Sequence, residues 1–196
     1  MEFEAFPKIP RYRRPIVITE KLDGTNAQVA IEIVPNEWVD ANYILSTLVV
    51  NGVKYNIYAG SRNRWLHADD DNYGFAKWVI DNQFELVEGL GEGRHFGEWW
   101  GQGIQRGYGL DHKRFSLFNT GRWLGNPDKP ECCHVVPVLF AGDHANFVTE
   151  SALELLYEEG SQAAPGFMNP EGIVVYHTAG RNLYKVTLDG DAAKGE

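Results

Sequence analysis

The segment "ILSTLVVNGVKYNIYA" constrains the fold more than any other stretch of the chain. Two β-branched runs meet at Asn51-Gly52, and a two-residue type I′ turn needs positive φ at both positions, which Asn and Gly tolerate. The chain therefore contains antiparallel sheet, and other segments must supply its neighbours. "IVITEK" and "AQVAIEIV" read as strands on either side of the Asp23–Asn26 turn. "RHFGEWWG" and "KRFSLFNT" read as strands separated by a glycine-rich loop, and "PEGIVVYH" with "NLYKVTL" as a closing antiparallel pair. "CHVVPVLFAG" reads as one further strand, which Pro137 confines to an edge or bulge because it lacks an N–H.

Two segments carry helical periodicity. In "ADDDNYGFAKWVIDNQFELVEGL" the Asp run offers N-caps, and Phe75, Val79 and Ile80 recur at helical spacing. In "VTESALELLYEEG" Ser151 and Glu154 fit a capping box and Gly160 fits the stop. Many strands with a few helices among them predict an α+β domain.

With 196 residues, 43% hydrophobic and 23% charged, the composition suits one globular domain. We expect a basic N-terminal arm over 1–14, the domain over 15–188 and a flexible tail over 189–196, with no C-terminal domain. A net charge of −9 argues against a protein that coats nucleic acid non-specifically, although a local basic groove is compatible with it. The only cysteines, Cys132 and Cys133, are adjacent, with no CxxC pair or HExxH spacing. No signal peptide or apolar run near 18 residues is visible, so a cytoplasmic setting without membrane contact is expected.

Four stretches join glycine-shaped backbone to a charge: "EKLDGTN", "FGEWWG", "NPEGIVV" and "LYKVT". Burying an unpaired Lys or Glu costs several kcal/mol unless a partner or ligand compensates. The economical reading is that Lys21, Glu98, Glu171 and Lys185 converge on one polar ligand. Two lysines and two carboxylates suit a nucleotide with a divalent metal. The plain alternatives are a solvated turn lysine at Lys21, an outward strand lysine at Lys185 and surface salt bridges at the two glutamates.

These stretches resemble the ordered motifs of the covalent nucleotidyltransferases, the group of ATP-dependent DNA and RNA ligases and mRNA capping enzymes. "EKLDGTN" resembles motif I (KxDG), "GSRNRW" the arginine-bearing segment after it, "HFGEWWG" motif III, "RFSLFN" motif IIIa, "PEGIVV" motif IV and "LYKVT" motif V. Their order holds from about Pro15 to Leu188. DNA ligases and capping enzymes usually read KxDGxR; Asn26 stands at that arginine position, which resembles the RNA ligase 2 type. The resemblance implies an antiparallel-sheet-rich, ATP-grasp-like adenylyltransferase domain with a nucleotide cleft between sheets.

The same resemblance implies an ATP-dependent RNA ligase that acts through a covalent lysyl-AMP, with Mg2+ or Mn2+. AMP would pass to the 5′-phosphate of an RNA and be displaced by a 3′-hydroxyl, a nicked duplex being one form of substrate. Lys21 would be the nucleophile; a free lysine is roughly 0.04% neutral at pH 7. Lys185 would neutralise the α-phosphate, Glu171 the metal, and Glu98 a ribose hydroxyl or the metal. Phe118 would stack on adenine and Arg62 would contact ribose or phosphates. Glu20, Asp23 and Asn26 would shape the adenosine end and the joining steps, ordinary turn duty being the alternative for the last two. Of Trp99 and Trp100, one is expected in the core and the other near a nucleobase. Lys8, Arg11, Arg13, Arg14, Arg64, Arg106, Lys113, Arg114 and Arg122 are candidates for a phosphate track. Thr187 stands where the RNA ligase 2 type often has a second lysine. A partner subunit for substrate, a DNA nick ligase, a capping-type guanylyltransferase and a non-catalytic nucleotide- or RNA-end-binding module stay open as alternatives.

Overall fold

The computed structural model describes residues 1–34, 43–143 and 148–189. Contacts divide the chain into two compact units, one formed by Met1–Lys21 with Pro137–Glu196 and one by Leu22–Val136.

In the first unit, β1 (Ile16–Lys21), β9 (Val138–Gly142), β10 (Gly172–His177) and β11 (Asn182–Thr187) form a four-stranded sheet in the order β11-β10-β1-β9, all pairs antiparallel. Alternation along these strands buries Ile16, Ile18 and Ile173 on one face, where Ala152 and Leu156 of helix α4 (Val148–Glu159) pack. Helix α4 begins earlier than the Ser151 capping box requires, so Ser151 lies inside the helix. Gly160, at φ 78°, ends it as expected. Residues 1–14 form an exposed arm, and the rest of the expected tail, 190–196, lies outside the described residues.

In the second unit, β2 (Thr25–Ile33), β3 (Ser46–Val50), β4 (Val53–Ser61), β6 (Gly93–Gly101), β7 (Lys113–Leu117) and β8 (Cys133–Val135) follow the order β3-β4-β2-β6-β7-β8, and the short β5 (Trp65–Leu66) pairs with β4. Asn51 and Gly52 adopt φ 49° and 80°, as the hairpin reading required. One face buries Val29, Ile57 and Leu117 with an aromatic cluster in which Phe75 lies 5.4 Å from Trp99 and 5.2 Å from Phe115.

Strands β1 and β2 stand on either side of the Asp23–Asn26 turn, as read, and enter different sheets: β1 joins β10 and β9, and β2 joins β4 and β6. Two expectations need correction. The "CHVVPVLFAG" run is two strands, β8 and β9, in different sheets. Pro137 lies between them; it has no N–H to donate, and its carbonyl accepts from the Glu20 N–H at 2.9 Å. The single helix predicted after the Asp run is two, α1 (Phe75–Asp81) and α2 (Gln83–Leu90), with Asn82 between. The N-cap of α1 is Gly74, and Asp71 serves from farther back by accepting from the N–H groups of Ala76 (2.7 Å) and Lys77 (3.1 Å).

Candidate active site

Lys21 is the last residue of β1 and stands opposite Gly172 on β10. Directly opposed residues share a face of an antiparallel sheet, so Lys21, Thr19 and Val174 lie on the face away from α4. Lys185 stands opposite Val174 and Thr187 opposite Gly172, which puts both on that same face. The two lysines that the sequence singled out in this unit therefore emerge together, two residues apart along β10.

Glu171 reaches this face by a local break in the alternation. Gly172 has φ 149°, a geometry that side chains avoid, and a Cβ there would lie 2.2 Å from the Val186 carbonyl oxygen. Strict alternation would point Glu171 toward α4; instead its Oε2 accepts from Lys21 Nζ at 2.5 Å. The pair is partly buried, the lysine side chain 24% exposed and the glutamate 5%. Beside it Gly172 leaves room where any other residue would project a side chain.

Glu20 turns the other way. Its carboxylate was expected at the adenosine end, but adjacent strand residues face opposite sides, and Glu20 is buried on the α4 side. There Oε1 accepts from the Ser161 hydroxyl (2.6 Å), and Oε2 accepts from the Gln162 and Ala163 N–H groups (2.9 Å each). Burial raises its pKa, and these three donors oppose the rise. Nothing in the sequence marked Ser161 as its partner.

The second unit carries the remaining candidates. Asp23 is held from two sides: its Oδ2 accepts from Arg106 Nε at 3.0 Å, and its N–H donates to the Tyr108 hydroxyl at 2.8 Å. Arg106 is therefore committed to Asp23 and is withdrawn from the phosphate track. Gly24 packs hard against β6: a Cβ there would lie 2.4 Å from the Trp99 carbonyl oxygen, and its N–H donates to Glu98 Oε1 at 3.2 Å. The glycine of "KLDGTN" thus orients the acid of "FGEWW". Asn26 stands directly opposite Glu98, on the sheet face away from the aromatic core. Phe118, 40% exposed, follows β7, and its N–H donates to the Phe96 carbonyl oxygen. Arg62 is exposed in the turn between β4 and β5.

Trp99 and Trp100 do face opposite ways. Trp99 joins the core and Trp100 lies on the Glu98 face, but Trp100 is 1% exposed beneath Tyr108 (rings 4.9 Å apart) and cannot stack on a base. Other track candidates also have structural duties. Arg64 pairs with Asp70 at 2.7 Å, Lys113 donates to the Tyr73 carbonyl and Arg122 to the Leu90 carbonyl. Lys8, Arg11, Arg13 and Arg14 sit on the exposed arm.

Among the described residues no three His, Cys, Asp or Glu side chains gather as ligands for a cation. Glu171 lies in the first unit and Glu98 in the second. No described helix is long and apolar enough to cross a membrane.

Comparison with known proteins agrees with these motifs. No curated protein sequence matches the chain. Among solved structures it resembles the Naegleria gruberi RNA ligase with PPi, with a TM-score of 0.56, 19% identity, 89% of this chain covered and 50% of that one. A mutant of that ligase with AMP and Mn matches with a TM-score of 0.53 and 17% identity over 89% of this chain and 50% of that one. Another mutant, with ATP and Mn, matches with 0.53 and 17% over 89% and 49%. The chain spans about half the length of these structures, and the likeness establishes a shared α+β fold. The family model described as RNA ligase matches residues 14–187, nearly the whole chain, and the chain belongs to that family.

Proposed function

We propose that the chain is the adenylyltransferase part of an ATP-dependent RNA ligase. Lys21 Nζ attacks the α-phosphorus of ATP; a P–N bond forms, the P–O bond to pyrophosphate breaks, and Lys21 carries AMP. The AMP moves to an RNA 5′-phosphate, and a 3′-hydroxyl then displaces it to close the strand. The observation that carries this reading is the 2.5 Å Lys21–Glu171 pair at the glycine gap, with Lys185 on the same face.

Attack needs the lone pair of the neutral amine, so the Lys21 ammonium must first give up a proton, to Glu171 or to solvent. Lys185 is exposed on the same face and is placed to take charge that builds on the α-phosphate oxygens. The family's ATP and Mn ligands, seen with the Naegleria gruberi enzyme, fit the donors here. Magnesium-like cations use one or two carboxylates together with phosphates and water. Glu171 in the first unit and Glu98 in the second each offer one such carboxylate, and a divalent cation bound with the phosphates would neutralise their charge. Phe118 supplies an exposed ring for adenine, Glu98 with Asn26 polar groups for ribose, and Arg62 a guanidinium for phosphate. Asp23, fixed by Arg106 and Tyr108, is assigned to the joining steps. Cys132 and Cys133 are free thiols, which fits a reducing, cytoplasmic setting.

Incubation with α-labelled ATP and Mn2+ or Mg2+ should leave label covalently on the protein, and Lys21→Ala should remove it. Nucleotide binding without any adduct would favour the non-catalytic alternative. Label from GTP rather than ATP would favour the capping type.

A further inference from the structure

The second unit also exposes aromatic and polar side chains beyond those assigned above. On the sheet face away from the aromatic core, residues opposed across the strands form rows. The row of Asn26, Glu98 and Ser116 is the polar one already described. The next row runs Trp65, Gly60, Gln28, Phe96, and ends at Phe118, whose N–H is bonded to Phe96. The row after that holds Tyr58, Ala30 and Arg94.

These side chains are built into a surface. Arg94 lies over the Trp65 ring, 5.3 Å from its centroid, and donates to Gln28 Oε1 at 3.3 Å. Tyr58 packs on Trp65 with ring centroids 5.3 Å apart. Gly60 makes room for Gln28, since a Cβ there would lie 2.7 Å from Gln28 Cγ. Phe96 is 46% exposed although it sits mid-strand between buried His95 and Gly97. An exposed phenyl ring, a cation over an indole and an oriented amide are the three elements that single strands use: a stacking plane, a phosphate contact and an edge donor or acceptor. Glu32, bound by the Tyr58 hydroxyl at 2.9 Å, and Glu98 put carboxylates at the two ends, so the strip that suits a polyanion is the stretch between them, along Arg94, Gln28 and Phe96.

We propose that Phe96, Gln28 and Arg94 form a subsite for single-stranded RNA beside the adenosine-contacting residues, with a base stacked on Phe96, its edge met by the Gln28 amide and its phosphate held by Arg94. The choice of RNA rests on the ligase reading above. Stacking on an exposed ring tolerates any base, so this subsite holds the strand without selecting sequence.

The test uses the full chain without ATP, so it is independent of adduct formation at Lys21. Binding of a fluorescein-labelled single-stranded oligoribonucleotide is followed by anisotropy across a salt series. Phe96→Ala should weaken binding about tenfold and leave the salt dependence unchanged, because a stacked base releases no counterions. Arg94→Gln should weaken it and also flatten the slope of log K against log salt by about 0.7, the loss of one phosphate contact. Phe84→Ala, which removes a ring that is 59% exposed on α2, should change neither. RNA carrying 5-iodouridine should photocrosslink to the peptide that contains Phe96. Unchanged affinity in both Phe96→Ala and Arg94→Gln overturns the proposal, as does an equal loss in Phe84→Ala or a crosslink confined to other peptides. Loss of the labelled-ATP adduct with these RNA results intact would sink the ligase reading and leave the subsite standing.

Discussion

The sheet that bears Lys21 and the sheet that bears Glu98 each keep one apolar face and one polar face, but they fix their polar groups differently. In the first, charge meets charge: an ammonium and a carboxylate pair across a glycine gap, over a small core of Ile16, Ile18, Ile173, Ala152 and Leu156. In the second, the groups are tied to the backbone as well: Glu98 accepts from the Gly24 amide, and Asp23 pairs with Arg106 while its own N–H donates to the Tyr108 hydroxyl, over a large aromatic core. A group whose atoms make and break bonds needs room to move, while a group that only orients a ligand gains from rigidity. The comparison teaches that stability and chemistry should respond to different substitutions in the two sheets.

The largest effect should come from the aromatic core. Phe75→Ala should cost about 3–5 kcal/mol of unfolding free energy, read from urea midpoints. If it costs no more than a surface substitution, the contrast between the cores fails. Next, Lys185→Ala should slow adduct formation by about 10²–10³-fold with little change in the midpoint, since it removes a donor aimed at developing charge. A parallel loss of stability would show that Lys185 is structural.

Gly172→Ala should affect both readouts, because the added Cβ meets the Val186 carbonyl oxygen; a loss of about 1–3 kcal/mol with slower adduct formation is expected. Thr187→Lys places a second ammonium on the Lys21 face and should speed adduct formation about tenfold, the worth of one modest hydrogen bond to a charged group. The smallest effect concerns Glu20. Its folded pKa is raised above the ordinary 4.5 by burial, so the native state binds the extra proton. Its contribution to stability is full below pH 4.5 and is lost as pH rises through the raised value. Glu20→Gln should remove that decline from a plot of urea midpoint against pH; an unaltered profile would mean the decline arises elsewhere.

Local signals were legible and distant pairings were not. Asn51-Gly52 and the β10–β11 pair could be read because both ends of each hairpin lie within a few residues. That β1 leaves β2 for a different sheet depends on β9 and β10, more than a hundred residues away, which no local pattern encodes. Within the site, Lys21 and Glu171 are 150 positions apart, and only the ordered family motifs linked them. The placement of Glu20 was available from strand alternation alone, since it precedes Lys21 in an extended run. The roles of Ser161 and Arg106 had no signature, because hydrogen-bond partners of a carboxylate come from any type of donor, and Tyr108 accepts from a backbone N–H, which nearly every residue carries.

The register of β1 against β10 carries a cost for length changes. Side chains alternate at every step, so inserting or deleting a single residue within β1 would exchange its two sides from that point on. The Lys21 ammonium would be driven among the isoleucines and helix α4, and the Glu20 carboxylate would be pushed out to where the lysine now stands. Diversity in this strand should therefore accumulate by swapping one residue type for another, with indels confined to the loops that flank it.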